Sequence, residues 1–255
     1  WSFLGNKTPE FIGFENYINI FKDKYFYNSL RVTIIYIIVC VSFEVLIGLF
    51  LALLLNDPKI KGMRLLSSIL ISPMVIAPVA IGTTFKMLYY PSQGLVNTIL
   101  HYITRIPIDN LPLWLGNYKI SLWAVIIVDI WQATPFFMLL FLAALKSMPE
   151  EPFEAAIVDG ASNLQCFRYL TINYLKPVLI IGLIFRVVDT FREFDKVFLL
   201  TKGGPARSTE TFSINIFNIA FTSYRFGYAA AIAIIMLIIT GFIAWSFVRL
   251  LKFNT

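Results

Sequence analysis

Histidine and cysteine are nearly absent from this 255-residue chain: His101 stands alone, and the cysteines are Cys40 and Cys166. Such a set cannot assemble a metal centre from Cys and His. Cys40 lies in an apolar run and Cys166 in a polar loop, so no disulfide is expected between them. His101 reads as a solvated loop residue. Charge is scarce as well, at 14% of residues, where a soluble domain carries about a quarter. Neither the phosphate loop G-x-x-x-x-G-K-[ST] nor the nucleophile elbow G-x-S-x-G occurs. Gly203-Gly204-Pro205 reads as a turn that leads into no helix. No catalytic residue, cofactor-binding residue or metal ligand is therefore assigned, and uphill transport would need an ion gradient or another subunit. A single histidine also argues against most integral membrane enzymes. The net charge of +6 fits basic flanks beside membrane lipid. No basic patch with interleaved aromatics occurs, so nucleic acid is not an expected partner.

What is abundant is apolar sequence: 58% of residues are hydrophobic, and the mean hydropathy is +0.75. Five runs approach the ~20 residues that cross a hydrocarbon core: Val32–Leu55, Leu65–Tyr90, Ile120–Leu145, Val178–Leu200 and Tyr228–Leu250. Lipid cannot satisfy free backbone groups, so the runs predict helices. The alternating segments of a β-barrel are missing. The fold class is all-α, a polytopic membrane helix bundle. Pro73, Pro78 and Pro135 predict kinks.

Orientation follows lysine and arginine near the run ends. Lys59, Lys61 and Arg64 crowd one short loop. Lys146, Arg168 and Lys176 mark the central loop, and Arg249 and Lys252 the tail. That density favours a cytoplasmic central loop. The chain begins at Trp1 rather than Met, and a further span before it is expected, giving six. Residues 1–27 would then be an extracytoplasmic segment. Residues 28–255 would form a transmembrane domain of five spans.

The one long polar interruption is the central loop, residues 147–176. Pro149 and Pro152 suit a helix start, and Glu150, Glu151 and Glu154 favour its positive end. Ala155 and Ala156 allow close approach by a partner. Asp159-Gly160 reads as the stop, with glycine suited to a left-handed cap. Ser162 is a good N-cap for a second helix, Asn163–Thr171. Two readings stand: an amphipathic loop on the membrane surface, or a surface presented to a partner.

These residues resemble a known family. Glu154-Ala155-Ala156, followed by Gly160 and the stretch to Pro177, is similar to the EAA loop of permease subunits of binding-protein-dependent ABC importers. The resemblance covers nearly the whole chain. Phe11–Tyr17, Leu200–Thr209 and Phe226–Ala231 resemble further signatures of the maltose and glycerol-3-phosphate type. One departure is Ile172-Asn173, where the family commonly has Leu-Pro, which implies a softer or shifted helix break.

The resemblance implies a type I ABC importer permease with a cytoplasmic EAA coupling loop, in a bacterial cytoplasmic (inner) membrane. It implies a heterodimer with a second permease subunit and an extracytoplasmic substrate-binding protein that delivers a sugar. Two ATPase subunits would hold ATP and Mg, with no cofactor in this chain. Glu154, Ala155, Ala156, Asp159 and Gly160 would be the ATPase-coupling residues, and alternating access would move the substrate.

Charges inside apolar runs need an explanation, since each costs about 2.5–3.5 kcal/mol on insertion scales. Glu44 and Asp129 are each the lone acid of a run. Arg186, Asp189, Arg192, Glu193, Asp195 and Lys196 crowd the fourth, where Arg186, Asp189 and Glu193 would share a helical face. They read either as internal ion pairs or as a polar lining for a hydroxyl-rich ligand. The resemblance favours a substrate pathway through Asp129, Arg186, Thr190 and Glu193, with Phe136 as an aromatic site for a sugar ring. An ion-coupled secondary transporter of a small polar solute is the alternative. It would often show inverted repeats, which are not visible, and would not need the EAA loop.

Overall fold

The computed structural model describes residues 10–57 and 62–253, with side chains except at Arg64 and residues 250–253. Trp1 to Pro9, Lys59, Lys61 and Thr255 lie outside the described residues, as does the expected preceding span. Among the described residues the secondary structure is helical, without a β-strand. Among the described residues, four helices are long and apolar enough to cross a membrane: Lys24–Asn56, Ser121–Lys146, Asn163–Phe191 and Phe226–Arg249. A fifth crossing exists only if the broken pair Leu65–Val75 and Pro78–Leu88 is one span. The break falls at Ala77, whose ψ of 136° is extended. Proline disfavours helical geometry in the residue before it, and Pro78 then starts the next helix.

The fourth run is shifted from its expected bounds. The loop's second helix does not stop at Thr171. It passes through a π-helical turn, Phe167–Thr171, and continues as Ile172–Phe191. The Asn173 side chain donates to the Tyr169 carbonyl at 2.6 Å, and no proline interrupts at 172 or 173, so nothing ends the helix there. It ends at Phe191, before Arg192 and Glu193, and a separate helix follows over Asp195–Thr201. Glu193 therefore lies beyond the helix that carries Arg186 and Asp189, and the expected shared face does not form.

The chain divides into two compact units. One comprises Trp1–Cys40, Ile76–Asp129 and Val188–Ile243. In it the Pro78–Leu88 helix packs on Asp195–Thr201. Gly82 makes the approach possible, because a Cβ there would lie 2.9 Å from Leu199 Cβ. Thr33 donates to the Ser29 carbonyl at 2.7 Å and accepts from the Phe212 backbone N–H at 2.9 Å. That hydroxyl satisfies an N–H at the start of the Phe212–Thr222 helix, where none inside the helix is available. Phe212 also stacks on Phe191 at 5.6 Å and meets Phe26 edge-on at 5.4 Å. The Gly-Gly-Pro segment is a turn, as expected, and it is pinned. Asn28 donates to the Arg207 carbonyl at 3.0 Å, Ser121 and Ser208 share a hydrogen bond at 2.9 Å, and the Arg207 guanidinium lies 3.7 Å from the Tyr25 ring centre. Burial pushes the carboxyl of Glu210 in this segment above its usual range, opposed by the Arg207 guanidinium. His101 is not a loop residue. It occupies the last turn of Leu95–Thr104, with Nδ1 2.6 Å from the Ile106 carbonyl.

The second unit comprises Val41–Val75, Ile130–Val187 and Ala244–Thr255. Its centre is the Ser121–Lys146 helix beyond Ile130, with Phe137 and Phe141 fully buried. A Cβ on Gly48 would lie 2.6 Å from Phe137 Cβ and 2.9 Å from the Met138 backbone nitrogen. A Cβ on Gly182 would lie 2.6 Å from Leu140 Cδ2. Two glycines on different helices thus let both backbones close on the same central helix, the small-residue packing common in membranes.

Candidate functional site

The central loop belongs to the second unit and is built largely as its sequence predicts. The first loop helix spans Glu151–Val158, with Pro152 and the acids Glu151 and Glu154 in its first turn. It stops at Asp159, and Gly160 takes φ +82°. The Gly160 and Ala161 N–H groups donate to the Ile157 and Ala156 carbonyls, at 3.0 and 2.9 Å. Those bonds close the helix end in the left-handed manner glycine permits. No atom lies within 4 Å of where a Gly160 Cβ would stand, so the backbone angle, rather than crowding, calls for glycine.

Ser162 then caps the next helix. Its Oγ accepts from the Gln165 N–H at 3.4 Å, while Gln165 Oε1 accepts from the Ser162 N–H at 2.7 Å. This reciprocal pair is a capping box. Phe153 and Tyr174 rings stack at 6.5 Å, which ties the loop helix to the long helix beside it. Glu154, Ala155 and Asp159 are exposed and Ala156 is half-buried. Ile157 and Val158 are 62% and 86% exposed, a high exposure for branched apolar side chains at a helix end. A cavity of about 540 Å³ lies alongside, lined by residues including Leu53, Asn56, Lys146, Phe153 and Glu154.

Buried charged residues occur in both units. In the first unit Lys196 Nζ makes ion pairs with Asp129 Oδ1 and, at 3.0 Å, with Glu193 Oε2. The Asp129 side chain is fully buried, Lys196 is 4% exposed and Glu193 10%. Glu193 Oε1 also accepts the Lys196 backbone N–H at 3.1 Å. It therefore satisfies an N–H in the first turn of the Asp195–Thr201 helix. Thr190 is buried in the same unit.

In the second unit Arg186 meets Glu44 through two bonds, Nε to Oε2 at 2.7 Å and Nη2 to Oε1 at 2.8 Å. Both side chains are buried. Phe136 is half-buried, edge-on to Phe137 at 5.3 Å. The structure thus brings Asp129 and Glu193 together, through a lysine absent from the predicted pathway set. It also gives Arg186 a partner from the first apolar run. Lys196 and Glu44 are the residues sequence reasoning missed as site members. The signal available for Glu44 was the insertion cost of a lone acid in an apolar run.

Comparison with known proteins now decides the class. Residues 24–253 match the family described as "Binding-protein-dependent transport system inner membrane component". The chain belongs to that family. Among relatives, the probable ABC transporter permease protein y4oQ of Sinorhizobium fredii is 38% identical over 98% of this chain and 80% of its own length. The trehalose/maltose transport system permease protein MalF of Thermococcus litoralis is 36% identical over 90% of this chain and 76% of its own. A crystal structure of a bacterial ABC transporter that imports the acidic polysaccharide alginate shares the fold. Its TM-score is 0.84 at 22% identity, covering 96% of this chain and 85% of that one. The permease is accordingly a multi-pass membrane component of an ABC importer and a transport subunit rather than an enzyme. Membership favours the ATP-driven importer over an ion-coupled secondary transporter.

Proposed function

We propose that the permease pairs with a second, different permease subunit to form the membrane pathway of a sugar importer. An extracytoplasmic binding protein delivers the sugar. Two ATPase subunits, which hold ATP and Mg, each take one coupling loop of the permease pair. The observation that carries this reading is the central loop. Its short helix, Glu151–Val158, is stopped by a left-handed glycine and held by the Phe153–Tyr174 stack, and it leaves Ile157 and Val158 bare. An exposed apolar pair at the end of this helix, flanked by Glu154 and Asp159, suits insertion into a partner's cleft. Ala155 and Ala156 permit close backbone approach, and Glu154 supplies a charged contact at the rim.

The chemistry asked of this chain is positioning and gating. A carboxylate set and a threonine offer hydrogen-bond partners to hydroxyls, and Phe136 offers an apolar face to a sugar ring. Asp129, Thr190, Glu193 and Arg186 line the pathway in this reading, the last oriented by Glu44. The name of the Thermococcus relative, a trehalose/maltose permease, supports a disaccharide as the substrate type. The test is copurification and uptake. The tagged permease should bring down a second permease and an ATPase, and vesicles of that complex should accumulate labelled disaccharide with ATP and the binding protein. Glu154→Lys should leave assembly intact and abolish uptake. A permease that purifies alone, or Glu154→Lys with normal uptake, would remove the loop from the coupling role.

A further inference from the structure

The segment joining the spans Asn163–Phe191 and Phe226–Arg249 carries a polar pocket of about 350 Å³. Its lining includes Lys202, Arg207, Glu210, Asn218, Thr222 and Ser223. Lys202 and Arg207 are exposed, and Glu210 is the one acid in the lining. Arg207 Nη1 pairs with Glu210 Oε2 at 3.2 Å, and Asn218 donates to Glu210 Oε1 at 3.3 Å. A single carboxyl offsets no more than one of the two cations. Lys202 has no ion pair among the described residues. Asp23, the other acid that bears on Glu210, accepts instead from the Tyr25 N–H at 2.8 Å and the Tyr228 hydroxyl at 3.0 Å. Both pocket cations also sit at left-handed backbone angles, φ 54° for Lys202 and 61° for Arg207. Residues with a Cβ rarely adopt such angles, which gather at functional sites. Lys202 ends the Asp195–Thr201 helix, a place where glycine is the usual left-handed stop.

Aromatic side chains stand beside the pocket. Phe221 and Tyr224, which bracket Thr222 and Ser223 in the chain, are 61% and 60% exposed. Both rings meet Phe226, at 6.2 and 6.5 Å. Phe226 opens the last span, so this cluster marks the depth at which hydrocarbon gives way to headgroups, where aromatic belts form. We propose that the pocket binds the phosphodiester of an anionic phospholipid. The Lys202 ammonium pairs with the phosphate, and the acyl chains run along Phe221 and Phe226. Lysine serves phosphate as a point charge on a flexible stem, and basic pockets beside spans select anionic headgroups. Thr222 and Ser223 supply hydroxyls to the headgroup oxygens. Free phosphate or an acidic protein segment would use the cations and leave the exposed aromatics idle, whereas a lipid uses both.

The experiment uses the assembled complex, delipidated in detergent. Native mass spectrometry follows binding of dioctanoyl phosphatidylglycerol, with dioctanoyl phosphatidylcholine and inorganic phosphate as controls. Wild type should bind phosphatidylglycerol at least tenfold tighter than phosphatidylcholine, and inorganic phosphate should not displace it at equal concentration. Lys202→Asn removes the charge and tolerates the left-handed angle. Losing one charge-assisted bond should weaken phosphatidylglycerol roughly tenfold, leaving phosphatidylcholine and the lipid-free thermal midpoint unchanged. Phe221→Ala should weaken it several-fold through the chains. Phosphatidylglycerol affinity within threefold of wild type in Lys202→Asn overturns the site. A fallen lipid-free midpoint in that variant, matching its lost binding, assigns Lys202 to the helix end and overturns the site as well. Displacement by inorganic phosphate, with no effect of Phe221→Ala, overturns the lipid in favour of a soluble anion. Lys202→Asn that keeps its phosphatidylglycerol but loses affinity for the loaded binding protein overturns it in favour of an acidic protein contact.

Discussion

Removing Arg186 alone should damage the permease more than removing Arg186 and Glu44 together. The pair is bidentate, with contacts of 2.7 and 2.8 Å, and its side chains are 5% and 0% exposed. Arg186→Met leaves the Glu44 carboxylate enclosed in an apolar helix face without its guanidinium. Breaking a buried pair in this way costs about 3–5 kcal/mol, because the remaining charge is desolvated and has lost both bonds to the guanidinium. At ~2–4 °C per kcal/mol for a chain of roughly this size, the thermal midpoint should fall by about 10 °C. Replacing both, as Glu44→Met with Arg186→Met, removes the desolvated charges together and is expected to be neutral or stabilising by ~1–4 kcal/mol. The assay is the thermal midpoint of the detergent-purified complex, followed by size-exclusion, with uptake measured on the same preparations. The double variant should recover the midpoint but not uptake, since Arg186 is placed in the pathway. A single variant that melts within about 2 °C of wild type would refute the buried-pair argument. A double variant with full uptake would reduce the pair to scaffolding.

Two further outcomes follow from the packing. Gly48→Leu puts a branched side chain where even a Cβ would stand 2.6 Å from Phe137; it should cost at least the ~1–3 kcal/mol typical of overpacking, seen as a lower midpoint in the same melt. Thr33→Val retains shape but strips the acceptor from the Phe212 N–H, a loss of about 1–2 kcal/mol. Faster hydrogen exchange confined to the start of the Phe212–Thr222 helix would report it, and unchanged exchange there would count against the cap.

The central loop was legible because its signals are local. Pro152, Gly160 and Ser162 each act within one turn of their own position, and a left-handed stop followed by a serine cap is written in consecutive residues. The long helices were legible for a similar reason, since hydrocarbon thickness imposes run length. The fourth helix was misplaced because apolar residues on both sides of Arg192-Glu193 read as one run. The helix in fact begins at the serine cap, bends through a π-helical turn and ends before those charges. The ion pairs were not legible: Glu44 and Arg186 are 142 residues apart, and no local pattern says which distant acid a buried arginine will meet. Lys196 was hidden in the same way, 67 residues from Asp129 and one of six crowded charges of which only Arg186, Asp189 and Glu193 were given a shared face, one that does not form.

The most direct test of the account is ATP hydrolysis by the reconstituted complex with wild-type loop and with Gly160→Val. A Cβ at Gly160 meets no atom within 4 Å, so crowding at the Cβ is not what a valine costs there. Valine introduces backbone strain at φ +82°, where a β-branched residue is a steric outlier. The account predicts that the lone permease hydrolyses no ATP and that the wild-type complex shows hydrolysis stimulated by loaded binding protein. Gly160→Val should assemble with its partners yet lose that stimulation. Hydrolysis by the lone permease, or full stimulation in the assembled Gly160→Val complex, would contradict it.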